Sequence, residues 1–335
     1  MEVNHGSADE KTGLFHATVI IGIPLYNEEL YIEETLNSIL SQTYSDFLVL
    51  ISDNNSTDRS SDICLSYQKK DSRIHYIRLK SNIGALRNFE FLLNSTSSPF
   101  FMWLGAHDSI HPTFLAKHIN KLKNNDKVSL SCSMIKWIDE DGKTTRLTHL
   151  SHVIRYKMPD WMRYLITVTS VPDDEYVVFN SLFRRVFMKG YCFKPTFGID
   201  HIIVSRLNYM GEVNYETEAL YIAREFNQKR DESWAERVNP EKPNDCYNMS
   251  LFKRVFDEDF TKLINQNRTS TKIALKSLFH LCLGLRIMKN DYDYGSSVVR
   301  PFLLFVFVKL LRSCFPRKTG TVSRLKSLAQ HHTDS

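Results

Sequence analysis

Three runs of sequence decide the fold: VIIGIPLYNEE at residues 19–29, FLVLISDNNSTD at residues 47–58 and FFMWLGAHD at residues 100–108. Each run begins with apolar residues and ends with polar ones. Short continuous apolar runs are typical of the buried strands of a parallel sheet. In an open α/β sheet the ligand crevice lies beyond the carboxyl ends of the strands. We therefore expect the three polar clusters to meet at one site.

Helix signals lie between these runs. Residues 28–41, 58–70, 84–93 and 112–124 are helix candidates, and residues 74–78 form a further strand candidate. Thr57 or Asp58 is placed to cap the second of these helices. Strands that alternate with helices of about 10 to 15 residues indicate βαβ units and a parallel sheet.

The pattern changes after residue 127. Residues 128–138 and 144–148 flank a strong hairpin turn signal at 139–142, and residues 176–183 are another strand candidate. Antiparallel strands therefore extend the first sheet. The predicted fold class is α/β, with a mixed, mainly parallel sheet flanked by helices and a helical C-terminal extension.

Length, composition and cysteine usage are those of an ordinary globular protein. The chain has 335 residues, of which 42% are hydrophobic and 24% charged, which suits one large domain or two smaller ones. Its six cysteines are far apart and include no Cys-x-x-Cys pair. This spacing excludes the common zinc motifs and favours reduced thiols in the cytoplasm.

The two ends of the chain bear on localisation. Residues 1–15 are polar and acidic and lack the features of a signal peptide. The sequence contains no run of about 18 apolar residues, the length that a membrane span requires. We therefore expect a cytoplasmic protein with no full membrane span.

The positive charge is concentrated near the C-terminus. The net charge is +5, but the residues from Lys272 onward include eleven Lys or Arg and only three acids. Residues 296–312 are apolar with flanking Arg and Lys, which favours an interfacial segment on anionic lipid at the inner face of the cell membrane. The alternative is a terminal helix buried against the rest of the protein. Nucleic acid is not an expected partner, because the basic residues lie among aliphatic ones and no nucleic-acid-binding module is present.

Four motifs together resemble a known family. IPLYNE at residues 23–28, SDNNSTD at 52–58, NIG at 82–84 and AHD at 106–108 have the order and spacing of the family 2 inverting glycosyltransferases of GT-A fold. Each motif alone is weak, but the ordered set is specific. The resemblance covers about residues 17–235.

The resemblance implies an activity and a domain organisation. The expected reaction moves a sugar from a nucleoside-diphosphate donor (a UDP-, GDP- or dTDP-sugar) to a hydroxyl of a lipid-linked or oligosaccharide acceptor in cell-surface polysaccharide synthesis. The expected parts are a disordered tail at residues 1–16, a GT-A domain at 17–235, a helical and membrane-associated extension at 236–318, and a basic flexible tail at 319–335.

The resemblance also assigns the donor-binding residues. Pro24 and Tyr26 are expected to line the nucleobase pocket, and Asp53 to accept a hydrogen bond from the base. The alternatives are a cap on the following loop for Asp53 and simple packing for Tyr26. The other candidates at this edge of the sheet are Asn27, Glu28, Asn55, Asn82, Gly84 and Arg87. Arg87 and its neighbour Asn88 either face the donor or lie on a solvated helix face.

AHD at residues 106–108 occupies the place of the family's Asp-x-Asp element, whose acids hold a divalent cation. Gly105 and His107 stand where acids are common, so Asp108 and His107 are the expected ligands of Mg²⁺ or Mn²⁺. A hard cation prefers oxygen ligands, and imidazole suits Mn²⁺ only tolerably. The alternative for His107 is a structural hydrogen bond.

Asp200 resembles the family's general base, an acid that starts a helix after the acceptor loop. Its alternatives are an ordinary helix N-terminal charge and the acidic cluster of Asp173, Asp174 and Glu175. Arg184 and Arg224 are the candidates for positive charge near the donor diphosphate. The histidine that often follows the second arginine is absent, because Phe226 and Asn227 stand there.

Two other functions are compatible with parts of this pattern. A sugar-nucleotide nucleotidyltransferase requires a Gly-rich loop with Lys or Arg after the first strand, and residues 23–27 contain no such loop. A non-catalytic sugar-binding or scaffold protein is favoured only by the incomplete metal motif.

Overall fold

The computed structural model describes residues 15–149, 178–189, 191, 193, 199–226 and 258, with only the backbone at residue 201. The chain divides after Val255 into two units, and all of the described residues except Glu258 lie in the first. The tail predicted at 319–335, nearly all of the tail at 1–16 and nearly all of the extension at 236–318 therefore lie outside the described residues.

The described elements comprise nine strands, five α-helices and a 3-10 helix at Arg185–Met188. The strands are β1 (Val19–Leu25), β2 (Phe47–Asp53), β3 (Ile74–Arg78), β4 (Phe100–Trp103), β5 (Ser109–Ile110), β6 (Val128–Ile138), β7 (Thr144–Thr148), β8 (Leu182–Arg184) and β9 (Glu212–Arg224). The helices are α1 (Ile32–Leu40), α2 (Ser60–Lys70), α3 (Ala85–Asn94), α4 (Phe114–Asn124) and α5 (Ile199–Met210).

The described strands form one mixed sheet in the order β3-β2-β1-β4-β8-β6-β9-β5, with β7 paired to β6. Strands β3, β2, β1 and β4 are parallel. Strand β8 is antiparallel to both β4 and β6, whereas β9 is parallel to β6. This confirms the predicted fold class, and it places the carboxyl ends of the first four strands at one edge.

Aromatic packing fixes the centre of this sheet. Trp103 is completely buried and stacks on Phe179 with ring centroids 4.4 Å apart and planes only 9° from parallel. Its indole N–H donates to the carbonyl of Phe89 at 3.1 Å. Every residue of β2 is buried as well. Aromatic contacts of this kind bury a large apolar area while satisfying the polar atom, so the strands that lead to the site are firmly held.

Three local predictions differ from the structure. Residues 178–180 form a 3-10 turn, and the strand begins only at Leu182. Strand β9 has 13 residues and was not predicted; it is stabilised by pairing with β6 on one side and β5 on the other. Helix α2 begins at Ser60, so Arg59 occupies the cap position, and the Asp58 carboxylate accepts the Ser60 backbone N–H at 3.0 Å.

Two cysteines lie among the described residues. Cys64 and Cys132 are both buried, and neither is in a disulfide. Burial, followed by the charges of Asp53 and Asp58, raises the pKa of Cys64 to about 12. The Cys64 thiol is therefore protonated and unreactive at neutral pH.

Within the part of the chain that the structure describes, no helix is both long enough and apolar enough to span a membrane.

A neutral histidine lies in the core between α4 and β6. His118 is 0% exposed, its Nδ1 lies 2.7 Å from the hydroxyl oxygen of Ser131, and its ring packs on Phe114 with centroids 4.2 Å apart. Burial, with a smaller effect from the charge of Lys117, lowers the pKa of His118 to about 3. The folded protein therefore keeps this imidazole uncharged.

We predict that His118 makes folding stability dependent on pH. Between its ordinary value of 6.5 and about 3, the unfolded chain binds a proton that the folded chain does not. The free energy of unfolding should therefore decrease by up to about 1.4 kcal/mol per unit as the pH falls through this window. Urea unfolding at pH 7, 6 and 5 should show a weaker pH dependence in His118→Asn than in the parent. The exposed His111→Asn is the control, and identical slopes for the parent and His118→Asn would contradict the prediction.

Candidate functional site

The polar clusters converge at the carboxyl edge of the sheet, as predicted. In the parallel registers, Leu25 pairs with Asp53 and Asp53 pairs with Arg78, so β1, β2 and β3 end level with one another. Pro24 and Tyr26 lie at the end of β1 and are both half-buried. This position suits the wall of a pocket.

The loops that follow β1 and β2 are joined by reciprocal hydrogen bonds. The Asn27 N–H donates to the Ser56 hydroxyl at 3.0 Å, and the Asn27 side-chain oxygen accepts the Thr57 N–H at 2.8 Å. The Glu28 N–H donates to the Ser60 hydroxyl at 2.9 Å. The Asn27 side chain thus builds the edge of the site by holding the two loops together.

Asp53 is directed into the protein. It is 0% exposed, one carboxylate oxygen accepts the Ser56 N–H at 2.7 Å, and the other accepts the Tyr76 hydroxyl at 2.5 Å. Burial and then the Asp53 carboxylate raise the pKa of Tyr76, which keeps that hydroxyl a donor. A nucleobase cannot contact a side chain with no exposed surface, so the expected base contact of Asp53 is corrected: Asp53 caps its loop and orients Tyr76.

The end of β3 supplies two residues that the motifs did not indicate. Tyr76 and Arg78 lie two positions apart, so their side chains share one face of the strand. Arg78 is exposed, and its guanidinium donates to the Ser56 carbonyl at 2.7 Å and to the Asn55 side-chain oxygen at 3.4 Å. Asn55 has a left-handed backbone (φ 67°), which asparagine tolerates. The sequence signal that could have indicated both residues is the alternation of side chains along β3, which places every second residue on the same face.

The loop at 82–84 is held by a pair of asparagines. The Asn54 amide donates to the Asn82 side-chain oxygen at 2.7 Å, and the Asn54 oxygen accepts the Ile83 N–H at 2.8 Å. The Asn82 oxygen also accepts the Gly84 N–H at 2.9 Å. Gly84 has φ 83° immediately before α3, a conformation that favours glycine.

The first turn of α3 separates Arg87 from Asn88. Asn88 is 1% exposed and donates to the Ser52 carbonyl at 2.9 Å, so it is part of the core. Arg87 is exposed. Of the two, Arg87 is the residue that a ligand at this edge can reach.

Glu28 and His107 link the loop after β1 to the loop after β4. The Glu28 Oε1 lies 3.0 Å from the His107 Nδ1, and the two side chains are 7% and 27% exposed. The His107 ring also makes an edge contact with Phe226 at 5.1 Å between centroids. The structural hydrogen bond that was the alternative for His107 is therefore present.

Asp108 is held from inside the protein. One carboxylate oxygen accepts the Tyr221 hydroxyl at 2.7 Å and the other accepts the Arg224 backbone N–H at 2.9 Å. Burial and then the charge of Asp108 raise the pKa of Tyr221 well above its usual range, so Tyr221 remains the donor. The Asp108 carbonyl accepts the Thr35 hydroxyl at 2.8 Å.

Gly105 makes room for this arrangement. A Cβ at position 105 would lie 2.6 Å from the Asp108 Oδ2, which is closer than non-bonded atoms approach. An acid at position 105 is therefore incompatible with the observed position of the Asp108 carboxylate. A side chain at position 105 would require the Asp108 carboxylate to move.

The residues of the predicted metal centre bond to the protein in this structure. Both oxygens of Asp108 accept hydrogen bonds from the protein, and His107 pairs with Glu28. Among the described residues, no three His, Cys, Asp or Glu side chains are grouped so as to hold a metal ion. The expectation that Asp108 and His107 together bind Mg²⁺ or Mn²⁺ stays a prediction.

The two arginines expected near the diphosphate have other partners. Arg184 pairs with Phe100 at the amino end of β4, opposite to the site, and its guanidinium bonds Val128, Asn125 and Leu122 carbonyls. The Arg224 side chain does lie at the site edge but is only 2% exposed. Both donor-contact expectations are corrected, since neither guanidinium is accessible to a diphosphate there.

Asp200 lies in the first turn of α5 and is half-buried, in agreement with the expected helix start. Residues 194–198, which precede it, lie outside the described residues, as do Asp173, Asp174 and Glu175. The general base therefore stays a prediction.

Because Asp53 bonds to the protein, we predict that Asp53→Ala lowers folding stability. The Ser56 N–H and the Tyr76 hydroxyl would lose their acceptor, which should reduce the free energy of unfolding by about 1 to 3 kcal/mol. Urea unfolding measures this loss, with the exposed Asp62→Ala as the control. A variant as stable as the parent would show that Asp53 serves a ligand and not the loop.

Comparison with known proteins identifies the family. The profile described as Glycosyl transferase family 2 matches residues 20–190, about half of the chain. An uncharacterized glycosyltransferase of Methanocaldococcus jannaschii is 32% identical over 126 residues, which cover 37% of this chain and 43% of that protein. TuaG of Bacillus subtilis, named as a candidate glycosyltransferase of teichuronic acid biosynthesis, is 44% identical over 96 residues, or 29% of this chain and 38% of that protein. The matched segment thus spans less than half the length of these relatives.

Solved structures share the fold. S. aureus TarS 1–349, crystallised with UDP-GlcNAc, superposes with a TM-score of 0.60 at 16% identity and covers 95% of this chain and 87% of that chain. At this identity the likeness concerns the fold alone, and it agrees with the predicted GT-A architecture. Since the family profile matches half of the sequence and its motifs meet at one edge of the sheet, the chain belongs to glycosyl transferase family 2.

Proposed function

We propose that this glycosyltransferase is an inverting enzyme of cell-surface polysaccharide synthesis, which moves a sugar from a nucleoside-diphosphate donor to a hydroxyl of a glycolipid or polysaccharide. The observation that carries the proposal is the interlocking of the loops after β1, β2 and β3 at one sheet edge. An edge built in this way is where open α/β sheets bind their ligands.

The comparisons support a nucleotide-sugar donor and a cell-envelope product. The TarS structure contains UDP-GlcNAc, and the name of TuaG refers to teichuronic acid. We therefore place UDP-sugars first among the donors, ahead of GDP- and dTDP-sugars. Family membership also disfavours the nucleotidyltransferase and the non-catalytic scaffold as alternatives.

The proposed reaction is a single displacement. The acceptor oxygen attacks the anomeric carbon while the Asp200 carboxylate takes the hydroxyl proton. The bond from the anomeric carbon to the diphosphate oxygen breaks, and its electron pair leaves with the nucleoside diphosphate. The configuration at the anomeric carbon is thereby inverted.

We propose that residues of the chain stabilise the negative charge on the departing diphosphate. Arg78, at the end of β3, and Arg87, in the first turn of α3, are exposed cations, and fixed positive charge there stabilises a developing anion. No step is assigned to a divalent cation, because the Asp108 carboxylate is bonded to Tyr221 and Arg224.

The function is tested with a donor panel and one variant. Screening UDP-, GDP- and dTDP-sugars for thermal stabilisation and turnover should identify the donor. Asp200→Asn cannot accept a proton, so turnover should fall by about 10² to 10⁴ while donor affinity is kept. The exposed Asp62→Asn is the matched control. The proposed function is overturned if the parent neither binds nor turns over any donor. If Asp200→Asn turns over normally, the general base is instead in the acidic cluster at residues 173–175.

We further propose attachment to the inner membrane surface through residues 296–312, which lie outside the described residues. Removing residues 296–335 should release the protein from anionic vesicles, and high salt should weaken binding of the full chain. Vesicle flotation measures both effects, with zwitterionic vesicles as the control. Flotation that the truncation does not change would support the alternative of a buried terminal helix.

A further inference from the structure

Arg224, at the end of β9, joins three neighbouring parts of the site edge. Its Nε donates to the His107 carbonyl at 3.3 Å, and its Nη1 donates to the carbonyls of Asp139 at 2.9 Å and Glu140 at 3.0 Å. Its Nη2 donates to the Glu34 carboxylate at 2.5 Å. One guanidinium therefore bonds to the loop after β4, the β6–β7 turn and α1.

The rest of Arg224 acts on the same loop. Its backbone N–H donates to the Asp108 carboxylate at 2.9 Å, and its guanidinium carbon lies 4.7 Å from the centre of the Tyr31 ring. The loop at residues 106–108 is thus held at two points, by the His107 carbonyl and by the Asp108 side chain.

Because the Arg224 side chain is buried, its hydrogen bonds are energetically necessary. The Arg224 side chain is 2% exposed, whereas that of Glu34 is 55% exposed. A buried guanidinium must keep its hydrogen bonds or bear a large desolvation cost. Three of its four side-chain contacts are backbone carbonyls, which satisfy donors without supplying a full counter-charge. The planar fork of arginine reaches several acceptors at once, which the point charge of lysine does not.

We propose that Arg224 is a positioning residue for glycosyl transfer, which fixes the loop at residues 106–108 against α1 and the β6–β7 turn so that His107 and Asp108 keep one arrangement during the reaction. The expected effect on kcat rests on the proposed function, whereas the expected effect on the loop rests only on the geometry.

Arg184 provides a matched control at the opposite end of the sheet. Its guanidinium also bonds to three backbone carbonyls and one carboxylate, that of Asp126, and it lies over the ring of Phe100 at 5.3 Å. Arg184→Met therefore removes a similar set of contacts without touching the loop at 106–108.

The experiment compares Arg224→Met, Arg224→Lys and Arg184→Met at a temperature at which circular dichroism shows each to be folded. We expect Arg224→Met to lower kcat by about 10²-fold, the effect of a misplacement near 1 Å, with a much smaller change in the KM for the donor. Compared with Arg224→Met, Arg224→Lys should regain part of the lost melting temperature but little of the lost kcat. Arg184→Met should lower the melting temperature and keep the parental kcat.

Hydrogen exchange gives a second measurement that does not require activity. The amides of residues 104–110 should exchange faster in Arg224→Met than in the parent, and at the parental rate in Arg184→Met. Parental kcat in folded Arg224→Met, or an equal loss of kcat in both methionine variants, overturns the proposal. If the parent turns over no donor, the proposed function fails. The positioning role is then judged by hydrogen exchange only, and it is overturned if residues 104–110 exchange at the parental rate in Arg224→Met.

Discussion

The arrangement of the site depends on one buried charge, the Asp108 carboxylate. A carboxylate at 6% exposure is costly unless donors surround it. Tyr221 and the Arg224 backbone supply those donors, and Gly105 leaves the space that the carboxylate needs. Both donors lie on β9, so the pairing of β9 with β5 and β6 brings them to the carboxylate.

The Asp53 carboxylate, at the end of β2, is hydrogen-bonded in the same way. Asp53 is the last residue of β2 and Asp108 lies in the loop after β4, and each carboxylate accepts one tyrosine hydroxyl and one backbone N–H. In each pair, burial and the neighbouring carboxylate raise the pKa of the tyrosine, so the proton stays on the phenol. Both acids thereby stiffen the loops at the carboxyl edge of the sheet.

The sequence predicted the parallel half of the sheet well and the second half less well. Strands β1 to β4 are encoded by local apolar runs, and β6 and β7 by a strong turn between them. Strand β9 depends on pairing with distant strands, and its residues 212–219 are all at least partly exposed, so no local signal indicated it. Likewise, the side-chain directions of Asp53 and Asp108 could not be predicted. The decisive partner of Asp108, Tyr221, lies 113 residues away along the chain.

The close approach of Gly105 to Asp108 also couples the effects of substitutions at these two positions. An acid at position 105 would restore part of the common family motif, but its Cβ would meet the carboxylate that Tyr221 and Arg224 hold. The two positions are thus epistatic: Asp108 must first give up its inward hydrogen bonds before position 105 can accept a side chain. An acid introduced at position 105 alone is therefore expected to destabilise the loop more than the same change made together with a substitution of Asp108.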